Sequence, residues 1–166
     1  MKIFKATLDA TAWFITISIT IVFLFVLYLL ILQWHVGGYG KYFGVILPPV
    51  IYFLAWVFRP VDYRITENEL IVYRLLRSVH IPLKNIVSAE RIDTNKISWT
   101  IRTFGVGGLF GYYGRFRNTV MGPMIWYATR KDRPVMIKTT REEKIILTPD
   151  DPAQFLAAIN IIVAGS

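Results

Sequence analysis

A stretch rich in glycine and arginine, residues 102–117, contains the side chains best suited to chemistry. Glycine backbone N–H groups combined with guanidinium groups can hold phosphate or another anion. The candidate ligand- or lipid-binding residues are Arg102, Gly105, Gly107, Gly108, Arg115 and Arg117. The same stretch also fits a long loop in which glycines permit positive φ while aromatic side chains pack back or face lipid. The sequence leaves both interpretations open.

Nucleotide binding and catalysis have little support in the sequence. The dinucleotide fingerprint requires glycine where Phe110 stands, and the phosphate loop requires a Gly-Lys-Ser/Thr sequence that is missing. His35 and His80 have no carboxylate three or four residues away, so the usual spacings of metal ligands are absent. The chain has no cysteine, which excludes disulfides and thiolate chemistry. We therefore expect no catalytic residues, no metal and no cofactor.

The first element that must position this stretch is an uncharged run, Ala12–Leu32, which predicts a membrane-spanning helix over about residues 12–34. Its 21 positions extend roughly 31 Å at about 1.5 Å per residue, close to the roughly 30 Å of a bilayer core. A cleaved signal peptide has a shorter apolar core. A second apolar segment also follows this run, so we expect the helix to be retained.

The second uncharged segment covers residues 42–58 and lies at the lower end of the spanning length. Gly37–Lys41 predicts a turn before it, and Pro48–Pro49 predicts a kink within it. A re-entrant or interfacial position is the alternative for this segment. Aromatic side chains are enriched at both membrane interfaces. The membrane anchors expected on this basis are Trp13, Trp34, Tyr42 and Trp56.

The distribution of positive charge predicts the orientation. Lys2 and Lys5 precede the first span, Arg59 and Arg64 follow the second, and the connection holds Lys41 alone. The positive-inside rule then makes the protein multi-pass with both termini cytoplasmic. The net charge of +8 suits an anionic membrane surface, although a solvated basic face would show the same composition.

We expect residues 1–60 to form a tail and a two-helix transmembrane hairpin, and residues 61–166 to form a mainly-β domain. The hydrophobic patterns predict strands at 63–66, 70–74, 78–81, 86–92, 98–104, 124–129, 135–139 and 144–147. The last three of these are expected to pair in chain order as a meander. A C-terminal helix over about residues 151–163 has Asp150 or Asp151 as its cap and Pro152 in its first turn.

This order of elements resembles the bacterial pleckstrin-homology-like (PH-like) domain, in the membrane-anchored form that follows a two-helix hairpin. The stretches that carry the resemblance are YRITENELIVYR, HIPLKNIVSAERI, RTFGVGGLFGYYGRFRN, WYATRKDRPVMIKT and IILTPDDPAQFLAAI. The resemblance implies a bent seven-stranded β-barrel or sandwich capped by a C-terminal helix, and for most members no known catalytic activity. With the two spans, it places the protein in a bacterial inner membrane. It implies no binding site.

These observations predict a membrane-anchored binding or scaffolding module that contacts anionic lipid or a protein partner at the cytoplasmic face. The alternative is an accessory subunit of a membrane transporter or enzyme complex that acts through the transmembrane hairpin. A nucleic-acid binder would show salt-dependent binding to DNA or RNA, and we expect no nucleic-acid partner. Self-association into a homo-oligomer stays open.

Overall fold

The computed structural model describes residues 1–32 and 40–164. Its N-terminal part contains strand β1 (Lys2–Lys5) and two apolar helices, α1 (Ala10–Leu32) and α2 (Gly40–Val57). Both segments predicted to be helical are helical, and α1 begins two residues before the predicted start. Trp34 and His35 lie outside the described residues, as does most of the predicted turn.

The rest of the described chain is mainly strands. In chain order they are β2 (Pro60–Ile65), β3 (Glu69–Arg74), β4 (Val79–Pro82), β5 (Ile86–Arg91), β6 (Thr100–Gly108), β7 (Gly111–Asn118), β8 (Gly122–Ala128), β9 (Val135–Thr139) and β10 (Lys144–Leu147). A short helix, α3 (Thr94–Ile97), precedes β6, and a C-terminal helix, α4 (Pro152–Ala164), ends the fold. The Asp151 carboxylate accepts the backbone N–H of Gln154 at 2.9 Å, which confirms the predicted cap.

The first sheet is antiparallel, in the order β1-β2-β3-β4. Tyr63 and Ile65 in β2 and Leu70 and Val72 in β3 are buried, and this alternation is typical of strands with one face on a core. Residues 2–5, expected to belong to a tail, pair with β2 along their whole length. The segment before α1 is therefore part of the β structure.

The second sheet has the order β5-β9-β10-β8-β7-β6, and the predicted meander of its last three strands is wrong. β10 lies between β9, to which it is antiparallel, and β8, to which it is parallel. The reason is burial on both faces. Ile145, Ile146 and Leu147 are consecutive and all buried, at 4%, 0% and 0% exposure, which requires a central strand covered on each side.

The described strands form two sheets, of four and six strands, so the strand count exceeds the seven of the expected barrel or sandwich. One core lies between the sheets and is covered by α4, whose Phe155 and Ile159 are fully buried. The ring of Phe155 meets Phe4 edge-on at 5.2 Å and Tyr63 at 6.0 Å between ring centres. The C-terminal helix thus caps the sheets as predicted.

A second core lies on the other face of the six-stranded sheet. Its aromatic residues include Tyr112, Phe116 and Trp126, and the rings of Phe116 and Trp126 stack with centres 4.8 Å apart. Ala12, in the first turn of α1, is fully buried in the same cluster. The Asp9 carboxylate caps this helix by accepting the Ala12 N–H at 2.7 Å. The start of α1 is therefore packed on the β domain.

The glycine-rich stretch is a β-hairpin, so its interpretation as a long loop is wrong. β6 and β7 pair antiparallel with a tight turn between Gly108 and Gly111. Gly105 and Gly114 stand opposite each other with φ of 112° and 126°, a region open to glycine but not to residues with a side chain. A Cβ on either glycine would overlap the backbone of the facing strand. The absence of a side chain at these two glycines therefore allows β6 and β7 to stay paired at this point.

Among the described helices, α1 is the one long and apolar enough to cross a membrane, while Tyr42–Val57 forms a shorter apolar helix. The two helices meet where the Thr20 and Tyr52 hydroxyls lie 2.7 Å apart. α2 continues through Pro48–Pro49. These prolines line an apolar groove of about 340 Å³ between the helices.

Candidate functional site

The tip of the β6–β7 hairpin is seated between the two apolar helices. The backbone N–H of Phe110 donates to the Thr16 hydroxyl of α1 at 3.0 Å. The Phe110 ring meets Tyr52 of α2 edge-on at 5.1 Å between centres. Gly108 packs so closely on Ile15 that a Cβ there would lie 2.7 Å from the Ile15 Cδ1 atom. The tip is therefore fixed to both helices.

A second contact joins β7 to the C-terminal turn of α2. The hydroxyl of Tyr113 donates to the backbone carbonyl of Ala55. Burial raises the pKa of Tyr113 well above its usual range, although the nearby guanidinium of Arg59 favours the ionised form. Arg59 itself lies over the rings of Trp56 and Phe110, at 5.9 and 5.8 Å. The phenol of Tyr113 therefore stays protonated and keeps its hydrogen bond at neutral pH.

The direction of the hairpin follows from these two contacts. Phe110 meets α2 at Tyr52, and Tyr113 meets it at Ala55, one helical turn nearer to the β domain. The strands therefore run from the tip toward the domain. Arg117 lies about 23 Å along the strand from Phe110, at about 3.3 Å per residue.

The structure does not bring the three candidate arginines together. Arg102 is opposite Phe116, so both side chains lie on the face of the second core. Arg115 and Arg117 alternate with Phe116 and project from the other face. Gly107 lies beneath Arg102, whose Cδ and Nη1 atoms would be 3.6 Å from a Cβ at that glycine. Arg102 is thus separated from the other two by the sheet itself.

A β-bulge in β6 causes this separation. The register shifts between Arg102 and Phe104, and the hydroxyl of the extra residue, Thr103, donates to the Arg115 carbonyl at 3.0 Å. One added residue reverses the faces of the side chains before it relative to those after it. If the register at the tip of the hairpin continued without the bulge, Arg102 would stand opposite Arg117 and share its face.

An exposed apolar turn between β3 and β4, which the sequence analysis missed, lies beside the helices. It has the sequence Arg-Leu-Leu-Arg, and Leu75 and Leu76 are 44% and 64% exposed. The Arg74 guanidinium donates to the Arg77 carbonyl at 2.6 Å and so holds the turn closed. The signal available in the sequence is the pair of leucines between two arginines, directly after the strand predicted at 70–74.

This turn lies at the membrane-proximal end of the β domain. Arg74 pairs with Pro60, the first residue of β2 and only three residues after the end of α2 at Val57. Its guanidinium lies over the ring of Phe58 at 5.6 Å, and burial lowers the pKa of Arg74 from its ordinary value. We define the basic rim as the set Arg59, Arg74, Leu75, Leu76 and Arg77.

The predicted aromatic anchors occupy both ends of the helices. Trp13 is in the first turn of α1 and Trp56 in the last turn of α2, at the end where the β domain sits, with exposures of 57% and 39%. Tyr42, at the start of α2, is 45% exposed. Trp13 and Trp56 therefore lie at the same level as the basic rim.

The described part of the chain also contains polar clusters of other kinds, and in one of them Arg130 pairs with Asp132 and Asp150 at 2.6 and 3.3 Å. The His80 Nδ1 atom lies 3.0 Å from a carboxylate oxygen of Glu69 on the surface of the first sheet. Among residues 1–32 and 40–164 there is no group of three or more His, Cys, Asp or Glu side chains that could hold a metal.

The sequence model of the bacterial PH domain family matches residues 61–161, from β2 into α4. The chain belongs to this family. The predicted resemblance is thereby confirmed for the PH domain, whereas the match leaves β1, α1 and α2 outside it. PH domains are generally non-catalytic modules that bind lipids or proteins. No curated protein and no solved structure matches the chain.

Proposed function

We propose that this protein is a membrane-anchored PH-domain module that contacts anionic lipid headgroups through its basic rim. In this proposal α1 and α2 form the anchor within residues 1–60, and residues 61–166 form a binding or scaffolding domain without catalytic activity. Both helices span the inner membrane, which leaves both termini and the PH domain on the cytoplasmic side.

The observation that carries the proposal is the position of the basic rim beside the end of α2. Arg59 lies two residues after the end of α2 and directly before β2. The pairing of Arg74 with Pro60 holds the Arg74–Arg77 turn at the same level. Each guanidinium near an anionic surface contributes about 1 kcal/mol. Full burial of an exposed leucine contributes about 1.5–3 kcal/mol. Together these terms favour a rim inserted among headgroups.

The predicted binding residues Arg115 and Arg117 are less suited to this contact. They lie on the hairpin, five and seven residues beyond Phe110, whereas the Arg74–Arg77 turn adjoins the end of α2 through the pairing of Arg74 with Pro60. Their face also carries Ile101 and Phe104, which are 71% and 76% exposed. An exposed apolar patch is typical of an interaction site, and because this face is not beside the end of α2, a protein partner is our second candidate function for it.

The test uses the full chain, whose lack of cysteine allows a single label to be introduced. Leu76→Cys is labelled with an environment-sensitive fluorophore, and the protein is reconstituted into nanodiscs of phosphatidylcholine alone or mixed with phosphatidylglycerol. Quenching by brominated acyl chains reports insertion of the turn. We expect stronger quenching in the anionic nanodiscs, and its loss when Arg59 and Arg77 are both changed to Gln.

The matched control changes Arg115 and Arg117 to Gln, which removes the same charge from the distant face. We expect quenching of the label to be retained in this variant. A label that stays equally accessible to water in both lipid mixtures would overturn the proposal. Equal loss of quenching in the two double variants would show that total charge, rather than the rim, sets the contact.

The accessory-subunit alternative is supported by the groove between α1 and α2. Small residues let another transmembrane helix approach closely, and Gly44 and Thr20 line this groove together with Pro48–Pro49 and Tyr52. Co-purification of one integral membrane protein in stoichiometric amount, lost on Gly44→Leu, would favour this function. Retention of the basic-rim insertion in the same variant would show that the two functions are separate.

A further inference from the structure

A pocket of about 450 Å³ lies on the second-core face of the β6–β7 hairpin, beside α3. Its floor is formed by the buried rings of Tyr112, Phe116 and Trp126. Arg102 and Lys131 stand exposed at its edge. Pockets that hold small ligands usually have this size and combine an apolar floor with a few polar groups.

The charge of the pocket is positive and unbalanced. No carboxylate is among its lining residues, and neither Arg102 nor Lys131 forms an ion pair within the described chain. The Lys131 ammonium lies 4.6 Å from the centre of the Tyr112 ring. Asp9, whose charge acts on Tyr112, uses its two oxygens to accept the backbone N–H groups of Ala12 and Lys131 at 2.7 and 3.1 Å.

The floor also contains polar atoms without partners. The Tyr112 hydroxyl and the Trp126 indole N–H are buried, and in the described part of the chain neither has a hydrogen-bond partner. A buried donor left in this state costs about 1–3 kcal/mol. Burial raises the pKa of Tyr112 to about 12, so its hydroxyl remains a donor at neutral pH. Two donors are therefore left without a partner among the rings of the floor.

A third donor stands on the pocket wall. The Thr100 hydroxyl oxygen accepts the side-chain N–H of Asn118 at 3.0 Å, which leaves its own hydrogen available. The Ser98 hydroxyl is already used, because it donates to the Thr94 carbonyl at 3.0 Å. The groups placed at the pocket surface are thus two cations and the Thr100 hydroxyl, a set that matches an oxyanion with three or more acceptor oxygens.

We propose that this pocket binds the phosphate group of a phosphate ester, supplied by a lipid headgroup or a soluble compound. Arg102 and Lys131 pair with the phosphate oxygens, Thr100 donates a hydrogen bond, and the organic part of the ester packs on the rings of the floor. A lipid is one natural source because Ala12, in the first turn of α1, belongs to the same core as the floor. The site shares no residue with the basic rim.

Calorimetric titration of the full chain in neutral maltoside micelles tests this proposal. The probes are phenyl phosphate for the soluble source and dihexanoyl phosphatidic acid for the lipid source. We expect Arg102→Gln and Lys131→Gln each to weaken binding at least tenfold. Both side chains are exposed, so the variants should melt as the wild type does. The matched control is Arg117→Gln, which removes one charge from the opposite face of the same hairpin and should change affinity less than twofold.

Each outcome has a defined meaning. Binding of both probes with loss in the two pocket variants supports recognition of the phosphate itself, and binding of phosphatidic acid alone with the same losses assigns the site to lipid. Absence of binding by both probes overturns the proposal, as does binding that the two pocket variants leave unchanged or an equal weakening by Arg117→Gln. Since the basic rim is unchanged in every variant, failure here leaves the nanodisc test of the rim unaffected.

Discussion

The hydroxyl of Thr16 accepts the backbone N–H of Phe110 at 3.0 Å, a bond that joins residues 94 positions apart in the chain. It links the second turn of α1 to the tip of a β-hairpin. Phe110 has a φ of 56°, an uncommon value for a residue with a side chain. The same residue is nearly buried, at 8% exposure. The helices therefore help to hold the tip in a conformation that the hairpin alone would rarely adopt.

Replacing Thr16 with Val should loosen the hairpin tip. The substitution keeps the shape of the side chain but removes the acceptor of the Phe110 N–H, a loss of about 0.5–1.5 kcal/mol. We expect amide hydrogen exchange at Phe110 to become roughly two- to tenfold faster. Thr103→Val is the control, because it removes a hydroxyl bond within the same hairpin but away from the tip. Unchanged exchange in the Thr16 variant would contradict this role.

The sequence predicts the elements of the fold better than their pairing. α1 and α4 have long apolar patterns that are readable locally, and so do most strands. β1 consists of four residues, two apolar side chains between two lysines, too few to indicate a strand without its partner β2. The central position of β10 depends on the elements that cover its two faces. These elements are distant in the chain, so the order of the strands along the chain does not predict their pairing.

The candidate site is predictable in composition but not in geometry. The sequence identifies Arg102, Arg115 and Arg117 as basic residues of one stretch, and it cannot assign them to faces, because the bulge at Thr103 exchanges the two. The pocket is similarly hidden, since Lys131 reaches it from the segment after β8. Face assignment requires the exact register, and one residue is enough to reverse it.

Gly105→Ala should destabilise the PH domain, whereas Gly107→Ala should not. Gly105 has a φ of 112°, and a Cβ there would overlap the backbone of Tyr113 and Gly114. We expect a loss of about 1–3 kcal/mol from the backbone conformation, with further loss from the overlap. At Gly107 a Cβ would meet only the flexible Arg102 side chain, at 3.6 Å. Urea unfolding of the full chain in micelles measures both, and equal stabilities would contradict the assigned geometry.

Tyr63→Phe should weaken the junction between the two sheets. The buried hydroxyl of Tyr63 donates to the Tyr127 carbonyl at 2.6 Å and accepts the Thr148 N–H at 3.1 Å. Its removal leaves both backbone groups without this partner, at a cost of about 1–3 kcal/mol. Tyr73→Phe, in the half-buried part of β3, should cost less. A midpoint of urea unfolding shared by the two variants would show that the buried hydroxyl has no special contribution.

The same hydroxyl makes stability depend on pH in the alkaline range. Burial raises the pKa of Tyr63 to about 12, while a tyrosine in the unfolded chain ionises near about pH 10. The contribution is fully present below about pH 10. As the pH rises toward about 12, the unfolded chain binds one proton fewer than the folded one, so stability falls by about 2–3 kcal/mol.

Tyr63→Phe lacks this group, so its free energy of unfolding should fall with pH less steeply, by about 1.4 kcal/mol per pH unit. Tyr112, Tyr113 and Tyr127 also have raised pKa values and account for the slope that remains. Urea unfolding of both proteins across this range measures the difference. If the free energy of unfolding changes with pH equally in both proteins, burial does not raise the pKa of Tyr63.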